Sequence, residues 1–426
     1  MRRTRVGAVA VVGIVVVNVV AWALFWPADD GRPNFLRQAV AEFAASTAVL
    51  LFAVALVLAT RASWIEPFFG GLDRMYRAHR RAAVAGFVLL VAHVTVVPWL
   101  LDSPGGTPSG LIAFAGISVL VLLSVGPRLP LARRIVTLNY RSWRHSHWLV
   151  GLFFAISLAH ALLVDQVVVT SPVPFTLLLA AYVVGVVAYL YTVLLARLVR
   201  PRYRYVVDEV RRLNPRTLEI SLRPHRARRL AFTSGQFVFL QIRRSGLREP
   251  HPFTVSSAPA EERLRLTVKA VGDYTARLHE RVETGHRATV EGSYGMLDYR
   301  RGGPRQIWIA GGIGITPFLS WLRDLDQLDD RRIDLYYTVR QPAEVLFWDE
   351  VREVAARNPG LRIHLNVSAE AGSLTVARLV AEHGAAVAVA DVFMCGPVPM
   401  IRTFERGLRQ HGVPAARIHF EEFSFR

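Results

Sequence analysis

Six long apolar segments occupy the first 200 residues of this 426-residue chain, and they limit its fold more than any other feature. The segments cover residues 6–26, 37–60, 80–101, 109–126, 147–164 and 172–197. A helix of about 20 mainly apolar residues spans the roughly 30 Å of hydrocarbon in a bilayer. The sequence therefore predicts a bundle of six transmembrane helices over residues 1–200.

The distribution of charge between these segments predicts the orientation of the bundle. Arginines collect at the N-terminus and in the loops after the second and fourth segments, whereas aspartates collect in the other loops. Basic loops mark the cytoplasmic side of a membrane protein. We therefore expect an integral protein of the plasma membrane with both termini in the cytoplasm. The net charge of +18 is then a topology signal, and we expect no nucleic-acid partner. The sequence does not indicate an oligomeric state.

The sequence pattern changes after Arg200-Pro201. Residues 201–302 read as short alternating strands with turn signals, which predicts a small antiparallel β-barrel. In residues 303–426 the strand-like segments QIWIA, RIDLYYTV, LRIHLNV and DVFMC alternate with helical patterns, which predicts an α/β domain with a parallel sheet. Cys395 is the only cysteine, so the chain has no intramolecular disulfide and no cysteine-ligated cluster.

Four histidines accompany two of the apolar segments. His79 and His93 are fourteen residues apart at the third segment, and His147 and His160 are thirteen apart at the fifth. A rise of about 1.5 Å per residue separates the members of each pair by roughly 20 Å along the helix. Histidine is costly in a bilayer and usually has a partner or a function there. If the two helices are neighbours, His79 can face His147 and His93 can face His160, which suits two bis-histidine haems. Interhelical hydrogen bonding and headgroup contact stay open as alternatives, and His145 competes with His147.

Glycine-rich and hydroxyl-rich motifs in the second half favour nucleotide binding. In AGGIGITPFLSWL, residues 310–322, a strand runs into glycines and a helix begins near Pro317, so backbone amides converge where a pyrophosphate can bind. This motif by itself fits a structural strand–helix turn equally well. In HPFTVSSAP, residues 251–259, the hydroxyls can hydrogen-bond a flat heterocycle or form an ordinary turn. Cys395-Gly396-Pro397 follows a later strand, at the edge where α/β sheets bind ligands.

The motifs DRMYRAHRRAAVAGFVLLVAH, WRHSHWLVGLFFAISLAH, HPFTVSSAP, KAVGDYT, GGIGITPF and CGPVPM occur in this order across nearly the whole chain. By these motifs and their order, the chain resembles members of the ferric reductase and NADPH oxidase superfamily. Within that superfamily it is most similar to bacterial NADPH-oxidase-like members. The resemblance implies a six-helix haem-binding domain over residues 1–200, an FAD-binding β-barrel domain over 201–302 and an NADPH-binding α/β domain over 303–426.

The resemblance also implies a role for individual residues. The axial ligands of two b-type haems would be His79, His93, His147 and His160. FAD would contact His251, Pro252, Phe253, Thr254 and Ser257, and on its pyrophosphate side Lys269, Gly272, Asp273 and Thr275. NADPH would contact Gly312, Gly314, Thr316, Pro317, Gly396 and Pro397, with Cys395 beside the nicotinamide and Arg340 at the 2′-phosphate. Phe423 would stack on the flavin, with Phe425 as the alternative.

The activity implied by the resemblance is transmembrane electron transfer from cytosolic NADPH, through FAD and the haems, to an acceptor outside. Dioxygen, which would give superoxide, is the leading expectation because the outer loops are short. Ferric-chelate reduction and electron donation to a separate periplasmic partner are the alternatives. A complete nucleotide-binding module argues against a non-catalytic haem sensor.

Overall fold

The computed structural model describes residues 6–98, 105–126, 140–226, 228–325 and 330–421. The chain divides into two compact units, Arg2–Val199 and Arg200–Arg426.

The first unit is helical. Its helices are α1 (Val6–Leu24), α2 (Phe35–Ala59), α3 (Glu66–Phe69), α4 (Leu72–Val96), α5 (Gly106–Val125), α6 (Tyr140–Leu163), α7 (Pro172–Leu190) and α8 (Ala196–Val199), with a π-helical turn at Tyr191–Leu195. Six of them are long and apolar enough to cross a membrane: α1, α2, α4, α5, α6 and α7 with its π-helical turn. The predicted set of six apolar helices is thereby confirmed. Helices α4 and α6 begin at Leu72 and Tyr140 rather than at residues 80 and 147, because a helix continues through polar sequence that an apolar run does not mark.

Glycines let the neighbours of α6 approach it closely. A Cβ atom at Gly116 of α5 would lie 2.3 Å from the ring of Phe153 in α6. A Cβ atom at Gly151 of α6 would lie 2.0 Å from the ring of Tyr189. Small residues at helix contacts allow this close packing in membranes, where association depends on van der Waals contact. The two aromatic contacts fix the position of α6 and so of its histidines.

The second unit begins with an antiparallel sheet. Its elements are β1 (Arg202–Asn214), β2 (Thr217–Pro224), β3 (Phe237–Ile242), β4 (His251–Thr254), β5 (Leu264–Lys269), α9 (Asp273–Arg281) and β6 (Arg287–Tyr294). The strand order is β4-β3-β6-β1-β2-β5. A single bridge between Val255 and Leu266 joins the two edges, so the sheet curls towards a barrel around a core of buried aliphatic side chains.

The rest of this unit is an α/β domain. Its elements are β7 (Arg305–Gly311), α10 (Thr316–Arg323), β8 (Arg332–Val339), α11 (Trp348–Arg357), β9 (Leu361–Val367), α12 (Ser368–Ala371), α13 (Val376–His383), β10 (Asp391–Cys395), α14 (Val398–Gln410) and β11 (Ile418–Phe420). The parallel strands follow the order β11-β10-β7-β8-β9. The order reverses between β7 and β10, and open sheets of this kind bind ligands at the carboxyl ends of such strands. The predicted fold class, an apolar helical bundle with an antiparallel FAD-domain sheet and a parallel α/β domain, is confirmed.

Helix α10 joins the barrel to the α/β domain through hydrogen bonds. The Trp321 indole donates to the Ser234 carbonyl at 3.0 Å, and the Ser320 hydroxyl donates to the Ser257 carbonyl at 2.7 Å. Both serines of the barrel are fully buried. Buried backbone carbonyls need such partners, so these bonds tie the two domains in one arrangement.

Arg323, at the end of α10, forms the charged part of the same contact. Its guanidinium donates to both carboxylate oxygens of Glu350, at 2.6 and 2.8 Å, and to the Ser256 carbonyl at 2.7 Å. Glu219 of the barrel lies 3.5 Å away, and the Arg323 and Glu219 side chains are only 5% and 4% exposed. Burial by itself would raise the pKa of Glu350, but the hydrogen bond and charge of Arg323 outweigh it and hold that pKa below its usual value.

We expect Arg323→Met to destabilise the second unit, because it removes the cation that Glu350 binds and one of the two cations beside Glu219, the other being Arg211. Removing one partner of a buried ion pair costs about 3 to 5 kcal/mol of unfolding free energy. Because the Glu350 pKa is lower in the folded than in the unfolded protein, its ion pair adds stability at pH values above the unfolded pKa of about 4.3. That stability is lost as the pH falls through the folded pKa. The difference in stability between wild type and Arg323→Met should therefore shrink in acid. Thermal unfolding of the full-length protein, followed by flavin fluorescence, measures this.

The matched control is Arg352→Met, because Arg352 pairs with Asp349 at the surface and is 63% exposed. Surface ion pairs contribute little. Equal loss of stability in the two variants would contradict the role given to Arg323.

Candidate functional site

The structure brings the four histidines of α4 and α6 together in two pairs. The ring centroids of His79 and His147 are 6.3 Å apart, and those of His93 and His160 are also 6.3 Å apart. The ring planes cross at 74° and 69°. His145 is exposed, and its ring lies against that of Trp148, with centroids 5.4 Å apart. The geometry thus selects His147 rather than His145 as the partner of His79.

Each of the four rings has a polar partner at Nδ1. The Nδ1 atoms of His79, His93 and His160 lie 2.8, 3.0 and 2.8 Å from the carbonyl oxygens of Ala55, Ala41 and Gly106. A carbonyl only accepts, so each of these Nδ1 atoms carries the proton. The Nε2 atom then keeps a lone pair for a metal, and the hydrogen bond at Nδ1 fixes the ring orientation.

The spacing within each pair fits a metal ion between the rings. Two metal–nitrogen bonds of about 2 Å, together with about 1.2 Å from each nitrogen to its ring centre, separate two axial imidazole centroids by roughly 6.4 Å. The observed 6.3 Å matches this value for both pairs. Among the described residues, no group of three or more His, Cys, Asp or Glu side chains is arranged to hold a metal ion. Each pair thus offers two imidazole rings at a separation that fits one metal ion.

His93 and His160, the second pair, line a cavity in the helical unit. Its lining is mainly apolar, with Glu42 and Asp165 as its acidic members beside His93 and His160. The Glu42 carboxylate accepts hydrogen bonds from the backbone amides of residues 167 and 168, at 3.0 and 2.8 Å. The described lining contains no arginine or lysine. The cavity is thus mainly apolar, and the Arg32 guanidinium, 3.0 Å from the Asp165 carboxylate, offsets the charge of that residue at its edge.

Two motifs that are far apart in sequence meet at the barrel. The His251 ring, from HPFT, stacks on the Tyr274 ring, from GDYT, with centroids 3.6 Å apart. The Tyr274 hydroxyl donates to the Leu247 carbonyl at 3.2 Å. Burial, and then the nearby Glu249 carboxylate, raise the pKa of Tyr274, so it stays a neutral phenol. The stack places the β4 motif beside the start of α9.

The β4 motif lies on an edge of the sheet. Strand β4 pairs only with β3, opposite residues 237–240, and it contains Pro252, which an edge strand tolerates. Phe253 is half-buried and Thr254 is buried. Ser257 is fully buried and its hydroxyl accepts the Arg265 amide at 3.1 Å, so this hydroxyl already serves the barrel.

The predicted pyrophosphate-side residues lie around the N-terminus of α9. Gly272 is the N-cap, and the Thr275 hydroxyl accepts its amide at 3.0 Å. Gly272 and Asp273 are exposed at this helix start. The Lys269 ammonium lies 3.2 Å from Glu344 of the α/β domain, an ion pair that the sequence did not predict.

The two predicted nucleotide motifs of the α/β domain lie backbone against backbone at the point where the strand order reverses. A Cβ atom at Gly314 would lie 2.2 Å from the Cys395 carbonyl oxygen, and one at Gly396 would lie 3.0 Å from the Cα atom of Gly311. Gly312 has a φ of +56°, a conformation that favours glycine, and its Cβ position faces open space. Thr316 and Pro317 begin α10 directly afterwards and are buried. Pro397 is the N-cap of α14.

Cys395, at the end of β10, is 3% exposed. Burial, and then the nearby Glu421 carboxylate, raise the pKa of its thiol. A neutral thiol is a poor nucleophile, so Cys395 suits contact with a ligand and not covalent chemistry.

Two remaining predictions concern the far end of the nucleotide site. Arg340 follows β8, its guanidinium is exposed, and it has no ion-pair partner in the part of the chain that the structure describes. Phe423 and Phe425 lie outside the described residues.

Several contacts at these sites were not predicted from the sequence. Ser124 holds His147, Arg323 joins the two domains, and the Glu421 carboxylate accepts the amides of Met296 and Leu297, at 2.6 and 3.2 Å. Each partner is distant in sequence, so no local pattern marks these residues. For Glu421, the only hint in the sequence is weak: it directly follows the last strand.

Comparison with known proteins assigns the two domains of the second unit. Residues 205–304 match the family model of an FAD-binding domain, and residues 308–406 match the oxidoreductase NAD-binding domain. The reductase component of propane 2-monooxygenase from Mycolicibacterium smegmatis is 27% identical over 237 residues, which cover 51% of this chain and 68% of that protein.

Two further relatives match the same half. The flavohemoprotein of Chromobacterium violaceum is 29% identical over 217 residues, 45% of this chain and 53% of that protein. The carnitine monooxygenase reductase subunit of Escherichia coli is 29% identical over 199 residues, 46% of this chain and 60% of that protein. The similarity thus covers about half of the chain and a little over half to two thirds of each relative.

Proposed function

We propose that this chain, which joins six apolar helices to FAD-binding and NAD-binding domains in an arrangement consistent with the ferric reductase and NADPH oxidase superfamily, is a transmembrane oxidoreductase. It would carry electrons from cytosolic NADPH through FAD and two b-type haems to dioxygen at the outer face, with superoxide as the product.

NAD(P)H-driven electron transfer is the best-supported part of this function. Both family models cover the second unit, and two relatives are named as the reductase parts of oxygenase systems. FAD accepts a hydride and releases single electrons, and haem iron takes one electron at a time. The chain's own contribution would be to hold the two nucleotides, the nicotinamide nucleotide at the strand ends where Gly314 packs on Cys395 and the flavin beside the His251–Tyr274 stack.

The observation that carries the proposal is the equal 6.3 Å spacing of two imidazole pairs on α4 and α6. Histidines that served only as interhelical hydrogen-bond partners would have no reason to form two pairs with the same ring-to-ring distance, one that suits a metal ion between them. Their Nδ1 contacts leave the Nε2 atoms as ligands. By the positive-inside rule, the His79–His147 pair would lie on the cytoplasmic side and the His93–His160 pair on the outer side.

The lining of the cavity at the second pair supports dioxygen as the acceptor. It is mainly apolar, and the Asp165 carboxylate at its edge is paired with the Arg32 guanidinium at 3.0 Å. Burying the charges of an anionic ferric chelate in an apolar cavity is costly, whereas a small neutral acceptor carries no such cost.

We expect two low-spin b-type haems per chain, because four histidines supply four axial positions. His93→Ala or His160→Ala should remove one haem and keep at least part of the other. His145→Ala is the matched control and should keep both, because His145 is exposed. Pyridine haemochromogen analysis counts the haems. A wild-type protein with a single haem would refute the pairing.

We expect purified full-length protein to reduce cytochrome c with NADPH in a reaction that superoxide dismutase suppresses. His160→Ala should lose this activity and keep NADPH-dependent reduction of soluble dyes, because the flavin module lies in the other unit. Reduction that superoxide dismutase leaves unchanged, with rapid reduction of a ferric chelate, would show a ferric reductase instead. Dependence on an added periplasmic protein would show a donor to a partner.

We expect a preference for NADPH over NADH that depends on Arg340. A guanidinium meets a 2′-phosphate with charge-assisted hydrogen bonds, whereas the NADH ribose offers a hydroxyl. Loss of a contact worth about 1.5 to 3 kcal/mol should raise the KM for NADPH roughly tenfold to a hundredfold in Arg340→Ala. The KM for NADH should stay nearly constant, and Arg352→Ala should change neither. Steady-state kinetics with a soluble dye measure this, and equal use of both nucleotides by the wild type would exclude the role of Arg340.

A further inference from the structure

The four imidazoles are held by two different kinds of acceptor. Three Nδ1 atoms face backbone carbonyls, which no substitution removes. The fourth, that of His147, lies 3.2 Å from the hydroxyl oxygen of Ser124 in α5. Among the described contacts, this is the one histidine anchor that a side-chain substitution can delete.

The surroundings of Ser124 decide the direction of this hydrogen bond. Its hydroxyl oxygen lies 2.8 Å from the Leu120 carbonyl, which can only accept, so the hydroxyl proton points there. The Trp143 indole nitrogen, which can only donate, lies 3.1 Å from the same oxygen. The oxygen therefore receives both Trp143 and His147. His147 then carries its proton on Nδ1, and its Nε2 lone pair is free for a metal.

Trp143 supports the same ring from a second direction. Its ring stacks on His147 with centroids 5.2 Å apart and planes 21° apart. Ser124 binds the edges of both rings and so couples their orientations. The stacking alone would fix the plane of the His147 ring but not the direction of its nitrogen atoms within that plane.

We propose that Ser124 is a positioning residue that fixes the orientation of the His147 imidazole and tunes the reduction potential of the haem held between His79 and His147. This inference rests on the proposed function, because it needs the first histidine pair to bind haem. Ser124 itself contacts no reacting atom.

The expected effect has a definite sign. A hydrogen bond donated from Nδ1 increases the electron donation of the imidazole at Nε2, which favours ferric over ferrous iron. Loss of that bond should favour the ferrous form and make the midpoint potential more positive. One neutral hydrogen bond corresponds to roughly a twofold to tenfold change in an equilibrium ratio. At 59 mV per tenfold for one electron, the shift is roughly 20 to 60 mV.

The test is redox potentiometry of the full-length protein, followed by the haem optical bands and by electron paramagnetic resonance of the ferric state. Ser124→Ala should shift one of the two haem potentials to more positive values and leave the other in place. Ser124→Thr keeps the hydroxyl and should restore the wild-type value. Ser118→Ala is the matched control on α5, because the Ser118 hydroxyl is buried without a hydrogen-bond partner among the described residues.

The outcomes separate this inference from the proposed function. A wild-type protein without two haems would end the proposed function and this inference with it. Two wild-type haems with neither potential moved by Ser124→Ala, or with both moved equally, would overturn the role of Ser124 alone. Loss of one haem in Ser124→Ala, with both kept in Ser118→Ala and Ser124→Thr, would support the positioning role, because a misdirected ring no longer holds the metal.

Discussion

A buried imidazole needs a partner for each ring nitrogen, and the helical unit is arranged around this need. In an apolar bundle an unpaired polar group costs several kcal/mol, on the order of a lost hydrogen bond or more. Four such rings face one another in two pairs, and each Nδ1 is anchored to a neighbouring helix: His79 and His93 to α2, and His147 and His160 to α5. The rings of each pair, one from α4 and one from α6, lie 6.3 Å apart between their centroids. The same anchors that make burial tolerable therefore set the orientation of each ring.

Close packing of helices makes those anchors possible. Gly116 and Gly151 let aromatic side chains of adjacent helices fill the space that a Cβ would occupy, so α5, α6 and α7 lie in direct contact. A hydroxyl on α5 can reach a ring on α6 only at such short separations. Ser124 and His147 thus depend on glycines that never touch either of them.

In the second unit, backbone proximity takes the place of side-chain anchoring. The loop after β7 and the turn after β10 touch through Gly314 and Cys395, which leaves the carboxyl edge of the sheet open for a flat ligand. The buried charges of Arg323 and Glu219, together with the half-buried Glu350, act at the other contact of this unit, between barrel and α/β domain. A nicotinamide and a flavin must lie close together for hydride transfer, and a polar contact with defined geometry holds two domains in register better than apolar contact alone.

The sequence by itself determined the six apolar helices, the antiparallel and parallel sheets, the presence of histidines on two of the helices and the glycine motifs at the strand ends. Hydropathy, alternation and glycine placement are local properties, so short windows contain them. Tertiary structure decided the rest: that His147 and not His145 faces His79, that Ser257 has its hydroxyl committed to the barrel, that Lys269 pairs with Glu344, and that Ser124 holds a ring on another helix. These outcomes join residues that are distant in the chain. Their energies depend on which surfaces packing brings within hydrogen-bonding distance, and no local pattern records that distance.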